Sequence, residues 1–132
     1  MADVQINFGS NEIKAFNEAA RAGSIKFDEQ AVREAVRLYD TMIKQLIGVR
    51  NKLNTLRDRK GFGGFSSGQE LQAGFSGKAG EGIKVISQLI EGAMRLQEAY
   101  LRAGGLIEEA DQRNADTLKF LNESTMRNDT RL

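Results

Sequence analysis

The sequence contains no cysteine, histidine, tryptophan or proline. Without thiols or imidazoles, most nucleophilic, acid–base and transition-metal sites have no residues to be built from. Disulfides are excluded, which fits a cytosolic protein or one exported by organisms that avoid them. Long apolar runs are missing too: no window approaches the roughly 18 apolar residues that mark a candidate membrane span. The first residues, Met1 to Gly9, carry neither the basic stretch nor the apolar stretch of a secretory signal peptide. Nor is there an excess of one charge. Nineteen basic and eighteen acidic residues leave +1, so no overall field advertises a nucleic-acid partner. No enzyme is expected, and no catalytic residue, cofactor or metal ligand is predicted.

What remains is helical patterning in 132 residues, about one ordinary domain. Val4, Ile6 and Phe8 alternate with polar neighbours and read as an extended arm over residues 1–9. Ser10 then stands before Ile13, Phe16 and Ala20, which share one face, and Gly23 follows. Ser10 reads as the N-cap and Gly23 as the left-handed residue beyond a short helix, about 11–22.

The strongest pattern spans about residues 28–58, with Asp28 as N-cap. Val32, Tyr39, Leu46 and Leu53 recur every seven residues, and Ala35, Met42, Val49 and Leu56 stand three residues after each of them. Val36, Ile43 and Ile47 widen the stripe, so this helix should touch more than one neighbour. Its length would be on the order of 45 Å. Gly61-Phe62-Gly63-Gly64-Phe65-Ser66-Ser67-Gly68 breaks the helix, giving a turn at about 59–67. Ser67 and Glu70 have the spacing of a capping box, so a second long helix is predicted over about 68–121, with glycine-rich first turns. Its seam runs through Ile86, Ala93, Tyr100 and Ile107, with Leu89, Leu96, Ala103 and Ala110 alongside. Gly104-Gly105 interrupts it, where a kink, or an end and restart, is expected. Residues 123–132 are polar enough to form a flexible tail.

Three clusters bear on chemistry. Gly61–Gly64 lacks the Gly-Lys-Ser/Thr ending of a phosphate-binding loop. Glu108, Glu109 and Asp111 have no histidine and no matching carboxylates on another helix, and read as a solvated face. Arg50, Lys52, Arg57, Arg59 and Lys60 form a basic stretch that matches no nucleic-acid-reading motif.

The fold class that follows is all-α: an antiparallel hairpin of two long helices with a short extra N-terminal helix, over residues 10–122. Two heptad-bearing helices joined by a glycine–aromatic turn resemble the WXG-type (early secreted antigen-like) proteins of type VII secretion, in their actinobacterial secretion-associated branch. The turn motif is Phe62-Gly63-Gly64-Phe65, where Phe62-x-Gly64 stands in the place of the family's aromatic-x-Gly; the tryptophan is absent. The family's Tyr-x-x-x-Asp/Glu signal is also absent, since Gly104 lies four positions after Tyr100. The resemblance covers roughly residues 28–121 and implies a secretion-associated protein that dimerises with itself or a related hairpin into a four-helix bundle. The implied seam is Val32, Tyr39, Met42, Leu46, Val49, Leu53 and Leu56 against Ile86, Leu89, Leu96, Tyr100 and Ile107. A larger secreted toxin or the secretion machinery is a further implied partner. The protein would be made in the cytoplasm, and secreted or held at the cell envelope without a classical signal peptide. Two other readings stand beside it. One is a structural assembly subunit of a phage or secretion apparatus. The other is a helical regulator binding nucleic acid through Arg50–Lys60, whose binding would fall steeply with salt.

Overall fold

A computed structural model of the chain describes residues 9–58 and 66–129. Four helices make up nearly all of this: α1 (Ser10–Arg21), α2 (Glu29–Arg57), α3 (Ser66–Ala103) and α4 (Ile107–Asp129). The all-α class is therefore observed, with no strand among the described residues. The expected N-terminal arm, with Val4, Ile6 and Phe8, lies outside them.

Local chemistry sets most of the helix ends. Gly9, not Ser10, precedes α1: its left-handed backbone (φ 81°) lets its carbonyl accept the Ile13 amide at 2.8 Å, so the first turn starts one residue early. At the other end Gly23 has φ 79°, and the amides of Gly23 and Ser24 return to the carbonyls of Ala20 and Ala19 at 3.1 and 2.9 Å. That double closure needs a left-handed residue, which glycine adopts without a Cβ penalty. Asp28 caps α2 as the sequence suggests, its carboxylate accepting the Ala31 amide at 3.1 Å.

α3 begins at Ser66, so Ser67 lies inside the helix instead of capping it. Gly74 and Gly77 lie within the helix with open space around them, whereas Gly80 and Gly82 face α2. A Cβ on Gly82 would stand 3.2 Å from the Leu53 side chain, and the Ser76 hydroxyl donates to the Arg57 carbonyl at 2.7 Å. The span expected as one helix from 68 to 121 is two. α3 ends at Gly104-Gly105, where Gly105 has φ 76° and the amides of Gly105 and Leu106 return to the carbonyls of Arg102 and Leu101 at 3.0 and 2.8 Å. α4 then starts at Ile107 and extends to Asp129, into residues expected to be a polar tail.

α1, α2 and α4 each pack on α3. α2 and α3 run in opposite directions: Val32 meets Leu101 and Gly104 at one end, Ile43 packs with Ile90 and Met94 midway, and Leu53 meets Gly82 towards the other. Ile43, Ile90, Ala93 and Met94 form one buried cluster, joined by Tyr39, Leu46, Ile47, Ile86 and Phe120. Val32, Leu101 and Ala110 form a second, at the end where α4 turns back. Full burial of Ile90 or Val32 contributes roughly 1.5–3 kcal/mol each.

Candidate functional site

Two apolar files run the length of α2, and they have different fates. The file Val32, Tyr39, Leu46 and Leu53 faces α3 and is buried or half-buried. Its companion, Ala35, Met42, Val49 and Leu56, sits on the flank: Ala35 and Leu56 are half-buried, whereas Met42 is 38% and Val49 45% exposed. Leu38, between them on the same side, is 72% exposed. On the opposite flank Arg33 reaches Glu109 and Asp40 receives Arg113, both from α4. Long side chains bridge α2 and α4 on that flank, and Val36, Ile43 and Ile47 lie inward while Met42 and Val49 stay exposed. On α3, Ile86, Leu89, Leu96 and Tyr100 are half-buried. Ile107, expected on the same seam, is 48% exposed, because the chain reverses at Gly104-Gly105 and carries it off that face. The turn motif Phe62-Gly63-Gly64-Phe65 lies outside the described residues.

At the Tyr39–Tyr100 level the seam is closed by aromatics. Tyr100 stands edge-on to Phe16 of α1 with ring centres 5.1 Å apart, and lies 5.9 Å from both Phe27 and Tyr39. The Phe27 amide donates to the Ala103 carbonyl at 2.8 Å, tying the α1–α2 connection to the end of α3. Burial pushes the Tyr39 phenol above its ordinary value, and a hydrogen-bonded Tyr100 adds to the shift.

Beneath α1 and α4, α3 carries polar groups that periodicity alone does not reveal. Glu98 is buried and meets Arg102 at 3.0 Å, Arg95 at 3.3 Å and Arg21 of α1 at 3.7 Å. Arg102, also buried, reaches Asp111 of α4 at 3.0 Å. Gln97 is fully buried and donates to the Val36 carbonyl at 2.9 Å and to Asp40 at 2.7 Å. The spacings Arg95–Glu98 and Glu98–Arg102 were a legible signal, since residues three and four apart meet on one helix face. A groove of about 360 Å³ opens between α1 and α4, with Ile13, Asn17, Arg95, Glu98 and Asn114 among its lining. Its buried carboxylate, Glu98, is already neutralised by arginines.

The remaining charged clusters are structural. Glu108, Glu109 and Asp111, read as a solvated face, are exposed, and Glu109 and Asp111 also pair with Arg33 of α2 and Arg102 of α3. The Arg33 guanidinium is held above its ordinary value, chiefly by hydrogen bonds to Glu109 and then Glu29. In the basic stretch, Arg50 lies over the Phe120 ring at 5.5 Å, and Arg57 is engaged by Asn54 and Asp58 at 3.0 and 3.6 Å. Both are turned into the fold, which leaves Lys52 as the exposed cation of the described part of that stretch. Among the described residues no group of three or more His, Cys, Asp or Glu could hold a metal ion, and no helix is long and apolar enough to cross a membrane.

The most distinctive surface is therefore the uncovered apolar flank of α2: Leu38, Met42 and Val49 beside Ala35 and Leu56. No protein-family model, curated protein or solved structure matches this chain.

Proposed function

We propose that this chain is a small secretion-associated helical-hairpin protein of a type VII (WXG-like) system, acting by dimerisation with itself or a related hairpin. One observation carries the reading: a heptad file on α2, with Met42 and Val49 exposed and Leu38 beside it, that the chain's own helices leave uncovered. Apolar side chains in a file along a long helix are stabilised by a second helix laid against them. The opposite courses of α2 and α3 fit the hairpin, and two hairpins joined through their α2 flanks form a four-helix core. Among the described residues α1 and α4 pack on α3, and this flank of α2 stays exposed.

The departures from the family pattern assign roles. Since Gly104 stands where the Tyr-x-x-x-Asp/Glu signal has its acid, either a partner supplies the signal in trans or this chain serves as the cytosolic companion of a larger secreted toxin. The pair is assembled in the cytoplasm and then secreted or held at the cell envelope. A larger secreted toxin or the secretion machinery is its further partner.

The test is the solution mass by light scattering across a dilution series, for the chain alone and co-expressed with its genomic neighbour. A compact dimer or heterodimer is expected, and Leu38→Glu combined with Met42→Glu should give a folded monomer. A chain that stays monomeric in both settings sinks the reading. Structural assembly is a second reading, favoured by Leu71, Ile107 and Leu118, which are 60%, 48% and 53% exposed at places other than the α2 flank. Growth into open-ended oligomers would select it.

A further inference from the structure

α4 caps the apolar seam between α2 and α3 with few apolar groups of its own. Ala110 meets the cluster of Val32 and Leu101, and a half-buried Phe120 meets that of Ile43, Ile90 and Met94. Four polar contacts fasten the helix within residues 109–114, close to its start. Glu109 meets Arg33 at 3.0 Å, Asp111 meets Arg102 at 3.0 Å, Arg113 meets Asp40 at 3.5 Å, and Asn114 accepts from Arg95 at 2.7 Å.

Each group of α2 or α3 in this clasp also has a second partner on its own side. Arg33 holds Glu29 at 3.1 Å, Arg102 and Arg95 hold Glu98 at 3.0 and 3.3 Å, and Asp40 accepts from Gln97 at 2.7 Å. α4 is similarly self-sufficient. Arg113 has Asp116 at 3.7 Å, the buried Thr117 hydroxyl donates to the Arg113 carbonyl at 2.9 Å, and Glu109 and Asp111 are exposed to water. Lifting α4 therefore breaks four contacts without stranding a buried charge, which is what makes breaking a buried pair costly. At its root, Gly104-Gly105 separates it from α3, with Gly105 in left-handed backbone. α1 is held by other means: Phe16 edge-on to Tyr100, and the buried Ala20.

We propose that α4 is a hinged latch, lifting as one unit about Gly104-Gly105 while α1, α2 and α3 stay packed, and baring the apolar seam that Ala110 and Phe120 cap. Arg33–Glu109 and Arg113–Asp40 lie among exposed or half-buried groups, so salt loosens the latch. This regulation goes beyond the pairing function proposed above and does not rest on it.

Because the chain has no cysteine, Ala110→Cys places a single thiol beneath the latch. Its labelling by a maleimide in native buffer should run roughly threefold or more faster in about 1 M than in about 0.05 M sodium chloride, as two weak pairs are screened. Arg33→Gln combined with Arg113→Gln should give the faster rate at low salt and remove most of the salt response. Ala20→Cys, on α1, should show neither effect. In the unaltered chain, amides from Arg113 to Phe120 should exchange with one shared opening free energy, smaller than that of Ile90–Leu101.

Labelling of Ala110→Cys only as fast as the whole protein unfolds overturns the latch. Amide exchange that quickens stepwise towards the end of α4 also overturns it, since that pattern is fraying and not a hinge. Should Ala110→Cys fail to fold, the amide pattern of the unaltered chain decides alone.

Discussion

Gly104 and Gly105 are adjacent, yet each is needed for a different reason. A Cβ on Gly104 would stand 3.0–3.2 Å from three atoms of the Val32 side chain, which is itself buried. Gly104→Ala should therefore destabilise by about 1–3 kcal/mol through overpacking. At Gly105 a Cβ meets nothing within 4 Å but the backbone is left-handed, so Gly105→Ala should cost about 1–2 kcal/mol through backbone strain. Urea titration of each variant measures both. A Val32→Ala background should relieve only the first, because only Gly104 touches that side chain. The sequence announces a break here, since paired glycines are costly in a helix. It does not announce the contact with Val32, which lies more than seventy residues earlier in the chain. Tyr39 gives a second residue-scale prediction. Its phenol is raised above its ordinary value of 10.0 by burial and by Tyr100. Because the folded state holds this proton more tightly than the unfolded state, the contribution is complete below about pH 10 and is lost as pH rises through the folded value. Ultraviolet titration should show a late-ionising tyrosine, and Tyr100→Phe should move it back towards the ordinary range.

Helix ends were legible where a local residue decides them: Asp28 caps α2, and Gly23 closes α1. The inward face of α2 was less legible, because its two files, Val32/Tyr39/Leu46/Leu53 and Ala35/Met42/Val49/Leu56, are similarly apolar. The choice between them is made by α3, which packs on the first file and leaves the second at the flank. The burial of the polar face of α3 was hidden for a related reason, although its charge spacings were legible. Glu98 reads as an ordinary charged helix residue until α1 and α4 cover it. Replacing it with the isosteric amide leaves buried Arg102 with Asp111 as its remaining carboxylate, so Glu98→Gln should cost about 1.5–3 kcal/mol, the range for losing a hydrogen bond to a charged group. Arg21 is mostly exposed and its pair with Glu98 is long at 3.7 Å, so Arg21→Gln should cost less than about 1 kcal/mol. Thermal melts of the two variants, compared side by side, check the order.

For the whole molecule, pairing and stability should be linked. A dimer interface that forms only on the folded chain raises its apparent stability by mass action, so Tm should climb with protein concentration. In the Leu38→Glu/Met42→Glu variant it should not. A melting temperature independent of concentration over a hundredfold range in the unaltered chain would count against any stable dimer in that range.

Because α1, α2 and α4 are each built on α3, the four helices should not come apart independently. α1 or α4 can lift away while the other helices stay docked, but the middle of α3 is freed only when all its neighbours have left. Amide hydrogens around Ile90–Leu101 should therefore exchange with solvent only through global unfolding, at a free energy equal to the stability of the protein. Those in α1 and α4 should escape earlier, through smaller local openings. An exchange experiment in heavy water would thus order the helices by release, with the centre of α3 last.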